Sequence, residues 1–138
     1  MRTIPLSISL VCTAIVTAQP DTVVIKELFF STRDIAENVD STTVWYAEEG
    51  SPWLISSCKS THNLRIEDAE NAAPLRRFGG KGTASGQFNR PNGVFAIDNL
   101  LLVVERDNRR VQVLSLPELQ TLVTFGQDEL RKPYGLWV

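Results

Sequence analysis

"RPNGVFAIDNLLLVVERDNRRVQVL", residues 90–114, holds most of three strands and the two turns between them. Val94 to Ile97 is an apolar run closed by Asp98-Asn99, a pair suited to a tight turn because both side chains bond their own backbone and tolerate left-handed φ. Leu100 to Glu105 reads as a second strand and Arg106 to Arg109 as a second turn. Arg110 to Leu116 is the third strand, with Val111-Gln112-Val113 alternating at period two, and Thr121 to Phe125 is the fourth and outermost. Pro91 and Gly93 start the innermost strand, where a proline removes no ladder hydrogen bond. Leu100 to Val104 is apolar on both faces, as suits a strand covered on both sides.

The pattern also occurs upstream. Leu54–Gly79 laid on Leu101–Gly126 without a gap, at a shift of 47 (101 minus 54), places Leu54 on Leu101, Leu75 on Leu122 and Phe78-Gly79 on Phe125-Gly126. Lys59 then meets Arg106, Leu64 meets Val111 and Ile66 meets Val113. Downstream, Arg90-Pro91-Asn92-Gly93-Val94 recurs as Lys132-Pro133-Tyr134-Gly135-Leu136 at a shift of 42 (133 minus 91). Periods in the forties with several short strands per unit are the mark of propeller blades, and β-branched strands of period two disfavour helical repeats of similar length. The expectation is an all-β chain, a β-propeller of four-stranded antiparallel blades. The blades are expected over 34–90 and 91–132, with a third beginning at 133–138. Because propellers close with four or more blades, this sequence reads as an incomplete propeller, the fragment of a longer chain.

A chain of 138 residues with 43% hydrophobic residues is one globular domain's worth, and a net charge of −2 argues against a nucleic-acid binder. Arg2, the apolar run Ile4 to Val16, and small residues before a cut after Ala18 predict a signal peptide over 1–18, hence secretion, extracellular or periplasmic, with no membrane attachment after cleavage. The run is shorter than the roughly 20 apolar residues that span a bilayer, and a retained anchor is the alternative. Residues 19–33 are then a lead-in strand. Cleavage removes Cys12 and leaves Cys58 alone, so no internal disulfide forms and Cys58 is read as a small buried hydrophobe.

The stretch 90–114 resembles an NHL-type propeller repeat, with its Pro-x-Gly-aliphatic step, Asp turn, apolar strand and Asn-basic turn. Together with "DIAENVDSTTVWYAEEGSPWLISSCKSTHNLRIED", residues 34–68, it is similar to the secreted β-propeller phytases. Their opening signature is two Asp, a Pro, a small residue, an aliphatic residue and a Trp, then a strand ending in Lys. Asp40 takes the first Asp place, Val44-Trp45 the aliphatic-Trp place and Lys59 the Lys, whereas Ser41 and Thr42 stand where the second Asp and the Pro would be. The resemblance implies that the full-length parent is a Ca²⁺-dependent phosphomonoester hydrolase acting on a phosphorylated small molecule such as phytate, with this fragment inactive by itself. It implies Lys59 and Arg106 as phosphate-binding residues and Asp40 as a metal ligand, and it names no catalytic residue in this chain.

Blade topology adds a reading of its own. Turns alternate between the two ends of an antiparallel sheet, so the loop entering a blade and the turn between its second and third strands share an end. That end is expected to collect Asp34, Glu37, Asp40, Lys59, His62, Lys81, Arg90, Asn92, Arg106, Asp107 and Arg109. Carboxylates offer oxygen to Ca²⁺ and Lys or Arg offers donors to phosphate, although each residue also fits a plain solvated turn. The glycines 79, 80, 82 and 86 do not make a phosphate loop, because Lys81 is followed by Gly82 and not by Ser or Thr. Three functions are compatible with this reading: the hydrolase, a non-catalytic NHL-type propeller binding a ligand or protein, and a nucleic-acid binder using Arg106, Arg109 and Arg110, which secretion and the acidic total disfavour.

Overall fold

The computed structural model describes residues 34–138; the expected signal peptide and lead-in strand lie outside the described residues. A single 3-10 turn at Ile35–Glu37, capped by the Asp34 carboxylate on the Ala36 amide, leads into eight strands. They are β1 (Val39–Trp45), β2 (Trp53–Cys58), β3 (Asn63–Asp68), β4 (Pro74–Gly79), β5 (Pro91–Ile97), β6 (Leu100–Glu105), β7 (Arg110–Ser115) and β8 (Thr121–Phe125). They pair antiparallel with their chain neighbours into two four-stranded sheets, β1-β2-β3-β4 and β5-β6-β7-β8. The chain is all-β.

The backbone repeats as the sequence does. Every residue of β2 and β3 maps onto β6 and β7 at 47 (100 minus 53), while β1 maps onto β5 at 52 (91 minus 39), because 46–52 is replaced by the two-residue turn 98–99. Left-handed φ angles recur at matched places: Asn38 and Arg90, His62 and Arg109, Ala72 and Leu119, Gly79 and Gly126. Asp40 and Asn92 are the matched bulge residues of β1 and β5, since pairing skips from Val39 to Thr42 and from Pro91 to Gly93. A bulge turns a strand and re-aims the side chains beside it.

The sheets share one core. Ile55, Leu64 and Ile66 of the first pack with Val94, Leu101, Val103 and Leu114 of the second, around Phe88 from the connecting loop. All of these but Val94 are wholly buried, worth about 1.5–3 kcal/mol each. β1 and β5 lie side by side without pairing. Hydroxyls bridge them instead: the amides of Val94 and Ala96 donate to Ser41 Oγ (3.2 Å) and Thr43 Oγ1 (3.1 Å), and from β2 Ser57 Oγ donates to Asn92 O (3.0 Å). The repeat-equivalent outer face of the second sheet is apolar and only partly covered. Ile97, Leu100, Val123 and Phe125 are exposed there, and the terminal segment reaches it with Trp137 against Phe95, rings 6.1 Å apart. Residues 133–138, expected to begin a strand, enter no strand pairing.

Candidate anion-binding face

Each turn between a sheet's second and third strands is tied to the loop that enters the same sheet. The amides of Lys59 and Ser60 donate to the carbonyls of Asn38 and Glu37, at 3.2 and 3.1 Å. In the second sheet Arg106 and Asp107 donate to Arg90 and Asn89, at 3.1 and 3.3 Å. Lys59 and Arg106 therefore hold the same backbone position in their sheets, and both belong to the end where the entering loops lie.

Their side chains differ. Lys59 Nζ is 2.9 Å from Asp40 Oδ1 and 6.0 Å from the centre of the Tyr134 ring, and its side chain is only 11% exposed. Arg106 is 29% exposed and makes one loose contact, 3.8 Å to Asp107. Of the two expected phosphate donors, Arg106 is the accessible one and Lys59 already has a carboxylate partner. Asp40, the expected metal ligand, is that partner.

Among the other residues expected at this end, Glu37 is buried, not solvated. Its carboxylate is paired with Arg65 Nη1 at 2.9 Å and closely with Arg77, so two arginines from strands distant in sequence neutralise it. Arg65 Nε also lies 3.2 Å from Glu67 Oε2. His62 Nδ1 accepts a hydrogen bond from the Arg90 amide at 3.0 Å, which requires that nitrogen unprotonated. Desolvation, then the Lys81 and Arg90 charges, lower the His62 pKa against the opposing pull of Asp107, so the ring stays neutral at pH 7. Burial, with the Glu37 charge, pushes the Cys58 thiol up and keeps it inert, as a buried hydrophobe should be.

Arg110, one of the cations a nucleic-acid reading needs, faces inward. It is 4% exposed; Nε sits 2.5 Å from Glu105 Oε1, and its other nitrogens donate to the carbonyls of Thr83, Ala84 and Gln87. Gln112 and Asn108 join this clasp, each donating to Glu105 and to the connecting loop, at Gln87 O and Gly82 O. The glycine-rich loop is thus fastened to the second sheet by side-chain donors, which spacing alone does not reveal.

Asn92 is the other residue whose role sequence reasoning missed. It is 1% exposed, and neither its amide nitrogen nor its side-chain oxygen has a protein partner. The signal was its alignment with Asp40, visible only once the 52-residue offset of the inner strands is known.

The two ends are electrically unlike. Loops 46–52, 69–73, 98–99 and 116–120 carry Glu48, Glu49, Glu70, Asp98 and Glu118 and no Lys or Arg, whereas the loops of the other end hold Lys59, Lys81, Arg90, Arg106 and Arg109 interspersed with Asp34, Glu37 and Asp107. Among the described residues, no group of three or more His, Cys, Asp or Glu is placed to hold a metal ion, and no helix is long and apolar enough to cross a membrane. Comparison with protein-family models and with curated proteins gives no match.

Proposed function

We propose that the two sheets are neighbouring blades of a phytase-like, NHL-type β-propeller, and that the basic loop end binds the phosphoryl group of a phosphomonoester such as an inositol phosphate. The observation that carries this reading is the matched pair Lys59 and Arg106, each fixed by one hydrogen bond to its entering loop (Asn38 O and Arg90 O). The partly covered outer face of the second sheet supports the propeller, since it matches position for position the face by which the first sheet packs.

Arg106 is ready to receive a phosphoryl oxygen with its exposed guanidinium. Lys59 does so by exchanging the Asp40 carboxylate for phosphate, a trade between two anions at a constant cation. His62, neutral and held by Arg90, orients the adjoining loop and carries its ring proton on Nε2. Calcium, when bound, supplies polarisation of the phosphoryl group and an activated water. Asp40 offers at most two of the six to eight oxygens that Ca²⁺ takes and shares them with Lys59, so the described residues do not by themselves fit the ion. A second reading, a non-catalytic propeller that binds a ligand or protein, is favoured by that same neutralised carboxylate.

Calorimetric titration of the chain with phytate tests the site. Charge-assisted contacts to phosphate are worth about 1.5–3 kcal/mol each, so Lys59→Ala and Arg106→Ala should each weaken binding by tenfold or more. Arg109→Ala, an exposed cation of the same turn as Arg106, serves as the comparison; Arg110 cannot, being part of the clasp. Equal and negligible effects of all three substitutions would remove the phosphate-binding role.

A further inference from the structure

Three repeat-equivalent residues lie on neighbouring backbone segments at the basic end. Asp40 and Asn92 are matched at 52 (92 minus 40), and Asn92 and Tyr134 at 42 (134 minus 92). Lys59 spans the set, with Nζ 2.9 Å from Asp40 and 6.0 Å from the Tyr134 ring. Asn92 lies between them: its carbonyl accepts from Ser57, which also bonds the Ser41 backbone beside Asp40, while on its other side a Cβ on Gly93 would sit 3.2 Å from Tyr134 O. A buried amide with both halves unpaired is costly and rare, and it calls for a partner.

We propose that Asn92 reads the ligand at this convergence, and that the ligand is an oxyanion of the phosphate type that still carries a proton. Its charge is met by Lys59, a phosphoryl oxygen accepts from Asn92 Nδ2, and its hydroxyl donates to Asn92 Oδ1. A carboxylate satisfies only the first two requirements, which makes a hydrogen phosphate or phosphomonoester the better fit. The inference rests on the phosphate reading of this end and adds to it the residue that selects the protonated form; Lys59 and Arg106 supply attraction, and Asn92 supplies the pattern of one donor and one acceptor.

The test is titration of the full chain with inorganic phosphate, followed by phosphorus NMR or calorimetry, for wild type, Asn92→Asp, Asn92→Leu and Arg106→Ala. Asp is already what the first sheet carries at this place, so Asn92→Asp keeps the shape and loses the donor. Asn92→Leu removes an unpaired buried amide and should fold at least as firmly as the wild type. Both should weaken phosphate binding about tenfold or more; wild-type affinity for a simple phosphomonoester such as glycerol phosphate should fall as pH rises through about 6, where the ester loses its last proton, whereas inorganic phosphate keeps a hydroxyl across that range and should not show this loss. Wild-type binding that is unchanged in both Asn92 variants overturns the inference, leaving an ordered water as the amide's partner, while the phosphate reading stands. Loss in the Asn92 variants with full binding in Arg106→Ala supports the inference and removes Arg106 from the site. No phosphate binding by the wild type overturns both.

Discussion

Replacing Glu105 should destabilise the second sheet far more than a surface carboxylate could, and the cost should depend on whether Arg110 remains. Glu105 is fully buried and accepts from Arg110 Nε (2.5 Å), Asn108 Nδ2 (2.6 Å), Gln112 Nε2 (2.8 Å) and the Asn89 amide (2.9 Å). Glu105→Leu strands a guanidinium that is 4% exposed, and breaking a buried pair from one side costs about 3–5 kcal/mol. Against a total of about 5–15 kcal/mol for a typical domain, that is enough to shift a urea midpoint severely. Arg110→Met falls toward the low end of the same range, because three neutral donors still satisfy Glu105. The double substitution Glu105→Leu with Arg110→Met leaves neither charge behind, and a buried pair replaced by apolar residues is often neutral. The double variant should therefore lose at least about 2 kcal/mol less than the sum of the singles. Urea unfolding followed by tryptophan fluorescence gives this coupling. Trypsin adds a second readout at Lys81: cleavage there should quicken whenever Arg110 is gone, since the loop carbonyls of Thr83 and Ala84 lose their donor. Energies that add to within about 0.5 kcal/mol would show that the two charges are not one unit and refute the reasoning.

Two further outcomes follow from the loop and turn geometry. Gly79→Ala should cost about 2–5 kcal/mol by urea unfolding, because φ is +92 and the new Cβ meets the buried Phe88 ring at 2.4 Å; Gly80→Ala, with nothing within 4 Å, should stay within about 0.5 kcal/mol. Stability should decline as pH drops below 6.5, since the unfolded chain protonates His62 first while the folded ring, its pKa lowered, resists; the loss levels off below the folded pKa, and His62→Gln should flatten this part of the thermal-melting profile relative to wild type.

What could be read from the residues is what repeats locally. Leu100–Glu105 and Thr121–Phe125 have the expected bounds, and Arg110 to Leu116 ends one residue early at Ser115, because each strand is framed by a turn whose residues announce it. Cys58 is buried as its apolar neighbourhood implied. Lys59 and Arg106 share a backbone position because a gapless shift preserves register. Pairings between side chains far apart in the chain were not legible. Glu37 reads as a solvated carboxylate until Arg65 and Arg77 are seen beside it, and Arg110 reads as a surface cation until the carbonyls of residues 83 to 87 are folded over it. Asp98-Asn99 is a turn as expected, and Asn99 does more than turn the chain: its side chain accepts from the Trp45 indole at 3.3 Å, a contact across 54 residues. In each case the missing information was which loop lies over which sheet, a property of the folded surface that period and composition do not carry.

The unequal distribution of charge between the two loop ends gives the described residues an electric dipole despite the chain's small net charge. A dipole turns before it binds. An approaching polyanion meets a molecule already rotated to present Arg106 and Lys81, while a cationic surface or resin draws the opposite end, with Glu48, Glu49 and Glu118, against itself. Held that way, the protein would lie with its basic loops pointing into solution, oriented by the placement of its turns and not by its overall charge of −2.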